Sequence, residues 1–165
     1  MAVKYFAYAS NMAPEVMAHL CPRHRYLGVG RLNDYRLAFT RRSVKTGSGV
    51  ADIIEAPGQI VWGALYEIDD DEIAAIDRKE GHGWAYVRVT VPVELEVGRP
   101  RNTAITYVVR SKESPDVPPS REYLCRVIEA AHARGLPGPY IEKLEAVRTA
   151  EAIAEECRQN PHRSK

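Results

Sequence analysis

The spacing of apolar residues changes several times along the chain, and each change marks an element. Lys4 to Ser10 alternates as a short strand, with Tyr5, Ala7 and Ala9 on one face and Phe6, Tyr8 and Ser10 on the other. Small polar residues break it before Met12, and Pro14 suits the first turn of a helix whose apolar stripe is Met17, Leu20 and Cys21, ending near Pro22. Strand alternation returns over residues 26–40, where Gly28, Gly30 and Asn33-Asp34 are bulge or turn points. Residues 41–49 are basic with Gly and Ser, which predicts an exposed loop. Residues 50–55 and 60–68 read as two strands, and Pro57-Gly58 between them carries hairpin-turn chemistry.

Asp69, Asp70 and Asp71 then set carboxylates at the start of a short helix through Ile73 and Ile76, where the helix dipole favours negative charge, and the helix stops at Glu80-Gly81. Residues 84–95 alternate again: Val87, Val89, Val91 and Val93 share one face, Trp84, Tyr86, Arg88 and Thr90 the other. A strand with one apolar and one aromatic-polar face is suited to line a pocket. Residues 103–110 form a further strand, and 111–119 a Pro- and Ser-containing loop. Ser120 is placed to cap a helix that runs to Arg134 and stops at Gly135, and a last helix spans 140–157 with Ile141, Leu144, Val147 and Ile153 inward. Strands in the first two-thirds and helices at the end predict an α+β fold, a small mixed, largely antiparallel β-barrel with flanking helices. Residues 1–157 are expected to form a single domain and 158–165 a polar tail.

Composition narrows the function classes. A chain of 165 residues with 45% apolar and 27% charged residues is long enough to bury one core and does not read as disordered. A formal net charge of +1 offers no field of one sign for nucleic acid or an anionic membrane, so a small molecule is the expected partner. Cys21, Cys125 and Cys157 are an odd, widely spaced set without a CxxC pair, as in a reducing cytoplasm. No apolar stretch has the length of a membrane span, and the strand-like opening residues do not read as a secretory signal, so a soluble, cytoplasmic protein is expected.

The candidate chemistry lies in two stretches. The strand that stops before Ser10-Asn11 leaves backbone N–H groups free to hold a carboxylate or an oxyanion, or it is simply a buried strand followed by an Asn-capped helix. Glu80 is flanked by Gly81 and Gly83, with Trp84 and Tyr86 near enough to strip water from its carboxylate and lift its pKa towards that of a neutral-pH acid or base. Pattern alone favours the plainer reading, a solvated glutamate at a helix end. His82 reads as a loop residue rather than a catalytic imidazole. Ser10, His82 and Asp77 make a weak case for a hydrolytic triad, since no G-x-S-x-G elbow surrounds Ser10. Cys21 and His24 supply half of a zinc spacing with no second pair, so no metal is expected. Tyr123, in the first turn of the Ser120 helix, serves either the core or a ligand.

Together these stretches resemble the γ-glutamylcyclotransferase family, whose architecture is also called the BtrG-like fold. The resemblance is carried in order by Tyr5-Phe6-Ala7-Tyr8-Ala9-Ser10-Asn11, Val61-Trp62-Gly63-Ala64-Leu65-Tyr66, Ile76-Asp77-Arg78-Lys79-Glu80-Gly81, Tyr86-Val87, Pro119-Ser120-Arg121-Glu122-Tyr123, Gly135-Leu136-Pro137 and Tyr140-Ile141-Glu142-Lys143-Leu144. It implies a small barrel with flanking helices and release of 5-oxoproline from a γ-glutamyl compound, without cofactor. It also implies that Tyr8, Ala9, Ser10 and Asn11 form the loop whose backbone holds the glutamyl moiety, that Glu80 is the acid/base, and that Tyr86, Tyr107 and Tyr123 line the pocket. Family members include dimers, so a homodimer is left open, and γ-glutamyl amino acids and amines are both candidate substrates. The family loop most often has glycine where this chain has Ala9, which matters if that position needs a positive φ. A non-catalytic γ-glutamyl-binding module and a Ser10 amidase are the competing readings.

Overall fold

The computed structural model describes residues 1–99 and 101–159. In chain order the elements are β1 (Ala2–Ala7), a 3-10 turn (Ser10–Met12), α1 (Pro14–Leu20), β2 (Arg25–Arg42), β3 (Gly49–Asp69), a second 3-10 turn (Asp70–Glu72), α2 (Ile73–Glu80), β4 (Tyr86–Val93), β5 (Asn102–Val109), α3 (Arg121–Arg134), α4 (Gly138–Glu145) and α5 (Ala150–Gln159). The strands form one sheet in the order β2-β3-β1-β5-β4. β1 runs through its centre, antiparallel to β3 from Ala2↔Asp69 to Ala7↔Ala64 and parallel to β5 at Tyr5↔Ile105. The expected α+β architecture is present, with the barrel left unclosed as a ladder. Among the described residues one bridged pair joins its two edges, where Arg31 N–H donates to Glu94 O at 2.8 Å and Glu94 N–H returns to Arg31 O at 3.0 Å.

Pro57-Gly58 does not turn a hairpin. Residues 49–69 are one strand, because both halves pair with β2: Asn33 faces Ile60 and Tyr35 faces Glu55, so residues 56–59 bulge out opposite Asp34. Asp34 takes a left-handed φ of 63° and Gly58 one of 81°, and Gly58 N–H donates to Asp34 Oδ1 at 2.9 Å. The turn chemistry therefore bends a long ribbon rather than reversing it. The reversal comes at the exposed loop, where Ser43 N–H donates to Ser48 O at 2.8 Å.

Two further expectations are corrected. The helix predicted over 140–157 is two helices, since Ala150 N–H is taken by Pro119 O at 2.9 Å and Thr149 Oγ1 caps the new start by accepting Ala152 N–H at 3.2 Å. Trp84 lies before β4 instead of in it, and is 66% exposed. Of the expected tail, Arg158 and Gln159 are still helical, and 160–165 lie outside the described residues. The start and stop of α3 are as read: Ser120 Oγ accepts Tyr123 N–H at 3.1 Å, and Gly135 closes it with a φ of 69°.

The two faces of β1 feed two cores. Tyr5 and Ala7 pack with Met12, Met17, Tyr66, Ile76, Val127 and Ile141 under the helices. Phe6 and Tyr8 pack with Leu32, Ile53, Val61, Leu65, Val91 and Val93 inside the curl of the sheet. Beside the second core sits a wholly buried carboxylate: Asp52, 0% exposed, accepts from Thr40 Oγ1 at 2.7 Å, Val109 N–H at 3.0 Å and Lys112 Nζ at 2.6 Å. It ties β2, β3 and β5 together at the base of the site.

Candidate active site

Past Ala7 the chain leaves the sheet and winds into the 3-10 turn. The N–H groups of Ser10 and Asn11 make no hydrogen bond among the described residues, as expected where a strand gives way to a helical turn. Ala9 has φ −135°, so this position does not call on the left-handed freedom of glycine. The far end of the turn is pinned from behind: Tyr66 OH donates to Met12 O at 2.7 Å, and Arg134 Nε reaches the same carbonyl at 3.0 Å.

Glu80 meets this turn from the last residue of α2. The helix ends in a Schellman closure, in which His82 N–H donates to Asp77 O at 2.9 Å and Gly81 adopts φ 62°. Just before that closure, the Glu80 side chain reaches the 3-10 turn at Asn11. A Cβ on Gly81 would lie 2.6 Å from the Trp84 ring, on top of the left-handed strain. Gly81→Ala is therefore expected to lower stability by about 1–2 kcal/mol, measured by urea unfolding, and to reduce turnover with it.

The two stretches are joined by one amide. Asn11 Nδ2 donates to Glu80 Oε1 at 2.9 Å and to Tyr5 OH at 2.8 Å, while Asn11 Oδ1 accepts from Lys79 Nζ. Lys79 Nζ also reaches Ser10 Oγ at 3.3 Å. Burial pushes the Glu80 carboxyl above its ordinary range, against the nearby Lys79 charge and the Asn11 hydrogen bond, which pull it down. Burial likewise lowers Lys79, with Glu80 opposing.

A cleft opens over this junction, lined by Tyr8, Ala9, Ser10, Asn11, Glu80, Tyr86, Tyr107 and Tyr123, together with Tyr5, Ala51 and Thr106. The tyrosines are wired in place. Tyr8 OH donates to Tyr107 O at 2.6 Å, and Tyr107 OH to Asp77 Oδ1 at 2.5 Å. The Ala51 peptide is bracketed: its carbonyl accepts Tyr86 OH at 2.7 Å and its N–H donates to Tyr123 OH at 3.0 Å. Because Tyr123 OH accepts there, its own hydrogen is left for the cleft. Burial raises all these phenols, Tyr123 to about 12, so at neutral pH they are uncharged donors.

The water around Glu80 is displaced by these tyrosines and not by Trp84, whose exposed ring lies over Gly81 with the Arg41 guanidinium 5.3 Å from its centroid. Ser10, His82 and Asp77 form no hydrogen-bonded chain among the described residues. His82 is exposed and its Nδ1 accepts Arg88 N–H at 3.2 Å, Asp77 is taken by Tyr107 and by Arg88 at 3.4 Å, and Ser10 has Lys79 as its neighbour. Cys21 Sγ faces Glu72 O at 3.8 Å and His24 Nδ1 lies 2.7 Å from Cys21 O. No group of three or more His, Cys, Asp or Glu among the described residues is placed to hold a metal ion.

Sequence reasoning missed Tyr5, Lys79, Thr106 and Ala51 as parts of the site. Tyr5 carried a signal, the same aromatic strand as Tyr8. Lys79 carried none, since a lysine beside a glutamate at a helix end reads as two solvated charges.

The AIG2-like family matches residues 60–144 of the chain. A γ-glutamylcyclotransferase of Bos taurus is 33% identical over 148 residues, covering 87% of this chain and 77% of that protein. That of Homo sapiens is likewise 33% identical over 148 residues, with the same coverage. Among solved structures, a γ-glutamyl cyclotransferase superposes with a TM-score of 0.81 at 28% identity, covering 96% of this chain and 99% of the other.

Proposed function

The chain belongs to the AIG2-like γ-glutamylcyclotransferase family, and from that premise we propose that it cyclises γ-glutamyl compounds to 5-oxoproline with Glu80 carrying the protons. The observation that supports this best is the desolvated Glu80 carboxylate held by Asn11 at 2.9 Å in a cleft floored by tyrosines. The substrate's α-ammonium lies against Glu80, which takes one proton. The freed amine attacks the substrate's own γ-carbonyl carbon, a C–N bond closes the five-membered lactam, and the carbonyl oxygen becomes an oxyanion. In this reading the N–H groups of Ser10 and Asn11, in the lining of the cleft, and the Tyr123 hydroxyl donate to that charge. Collapse breaks the original amide C–N bond as Glu80 gives its proton to the leaving nitrogen; the ring nitrogen, still carrying one hydrogen too many for a lactam, then gives its second proton to Glu80, which passes it to the freed amine and is left ionised as it began.

The nucleophile comes with the substrate, so the reaction as written calls for no serine, metal or cofactor. Folding the substrate into its near-attack shape supplies up to about 7–11 kcal/mol in favourable intramolecular systems. The partner in this reading is a small γ-glutamyl molecule, taken up in the cytoplasm by a single domain of residues 1–157. Supporting it, the net charge is only +1 and, among the described residues, no helix is long and apolar enough to cross a membrane.

One observation favours a second reading. Ser10 Oγ lies 3.3 Å from Lys79 Nζ, whose pKa burial lowers, as in a serine–lysine amidase. Such an enzyme would stop on Ser10→Ala and release glutamate. Incubation with a panel of γ-glutamyl amino acids and amines, read by mass spectrometry, is expected to give 5-oxoproline and the free amine; glutamate as the sole product would sink the cyclisation.

The pH dependence follows from the raised Glu80 carboxyl. The ionised form is the active base, so kcat/KM is expected to fall as pH drops through the Glu80 pKa, with its acid limb above the ordinary glutamate range of about 4.3. A limb at or below that range would contradict the burial of this group.

A further inference from the structure

Asn11 is held from both ends by neighbours in sequence. Lys79 and Glu80 are consecutive on α2, where adjacent side chains point about 100° apart and do not face each other. They meet only through the Asn11 amide, whose Oδ1 takes Lys79 Nζ and whose Nδ2 gives to Glu80 Oε1 at 2.9 Å. The second Nδ2 hydrogen goes to Tyr5 OH at 2.8 Å, so the amide is used on every side. Turned over, it would set its oxygen against the carboxylate and its NH2 against the ammonium. We propose that Lys79 is a positioning residue of the reaction: by occupying Asn11 Oδ1 it locks the amide with Nδ2 towards Glu80, and so fixes the carboxylate over the cleft. This rests on Glu80 being the proton carrier.

The other groups around Glu80 leave this role to Lys79. Tyr5 and Tyr8 from β1, Tyr86 from β4, Tyr107 from β5 and Tyr123 from α3 are neutral phenols. Asp77, on the same helix, is held by Tyr107 and Arg88, and Asp52 by Lys112. Arg126 pairs with Glu122 at 3.6 Å and stacks on Tyr123, and Arg41 stacks on Trp84. Lys79 is the cation that shares a hydrogen-bond network with Glu80 among the described residues, and its charge opposes the burial that would otherwise protonate the carboxylate.

The test compares the unaltered protein, Lys79→Met and Lys79→Arg, each first checked for an unchanged melting temperature. In Lys79→Met the acid limb of kcat/KM is expected to move to higher pH, costing about tenfold in rate on the acid side and recovering as pH rises. Lys79→Arg, which keeps donor and charge, should stay close to the unaltered profile. A 13C NMR titration of the Glu80 carboxyl without substrate should show the same upward displacement in Lys79→Met. Coincident titrations in all three proteins would overturn the proposal. So would total loss of activity in Lys79→Met at every pH together with equal loss in Ser10→Ala, the signature of a serine–lysine amidase. Full activity of Glu80→Gln would refute the proton carrier instead, and the carboxyl titration would still decide whether Lys79 governs Glu80.

Discussion

Glu80→Gln is expected to lower kcat by about 10²- to 10⁴-fold while leaving the affinity for a γ-glutamyl ligand and the melting temperature nearly unchanged. Glutamine has the shape of glutamate, and its Oε1 still accepts the Asn11 amide that holds position 80 at 2.9 Å. What it lacks is an oxygen able to take the ammonium proton and hand it to the leaving nitrogen. The fold has no need of the charge, because burial already works against the ionised form. Loss of turnover with retained binding therefore isolates proton transfer. Stopped-flow turnover and calorimetric binding on the same preparation check it, and a glutamine variant at full speed would remove Glu80 from the mechanism.

Asp52→Ala is expected to cost about 3 kcal/mol of folding stability, read from urea unfolding. The carboxylate is wholly buried, and its removal orphans the Thr40 hydroxyl and the Val109 N–H, two groups that water does not reach. Lys112, 40% exposed, turns outward and recovers its hydration, so the loss falls on the strands rather than on the cation. The site should feel it too. Asp52 follows Ala51, whose peptide group is gripped by Tyr86 and Tyr123, so a loosened β3 should raise KM more than it lowers kcat. A loss below about 1 kcal/mol would mean that the three hydrogen bonds are replaced by solvent.

Elements whose limits are set by local chemistry were legible in the sequence. Ser120 announces the start of α3 and Gly135 its stop, and Glu80-Gly81 marks the end of α2, because a cap or a left-handed residue acts over a few positions. Pro57-Gly58 has the same local chemistry in a hairpin and in a bulge. What decides is that both flanking segments pair with β2, a choice made elsewhere in the chain. The break between α4 and α5 is similar, since Ala150 turns to the carbonyl of Pro119, thirty-one residues back by numbering.

The site divides along the same line. Tyr8 to Asn11 and Glu80 stand out as a strand ending on small polar residues and a carboxyl between a helix and glycines. Their meeting, across 69 residues, came from family resemblance and not from periodicity. Lys79 could not be seen, because the feature that gives it a role is an amide 68 residues away. Trp84 misled for the opposite reason: its proximity in sequence to Glu80 suggested a hydrophobic cover, while the chain turns at Gly81 and leaves the ring outside.

The central claim is that the bound molecule closes on itself, with Glu80 moving its proton. Turnover of a γ-glutamyl amino acid in water enriched in 18O tests it most directly. The account predicts 5-oxoproline carrying no 18O, because its lactam oxygen and both carboxylate oxygens come from the substrate; glutamate bearing one 18O in its γ-carboxyl would show hydrolysis by water and contradict it.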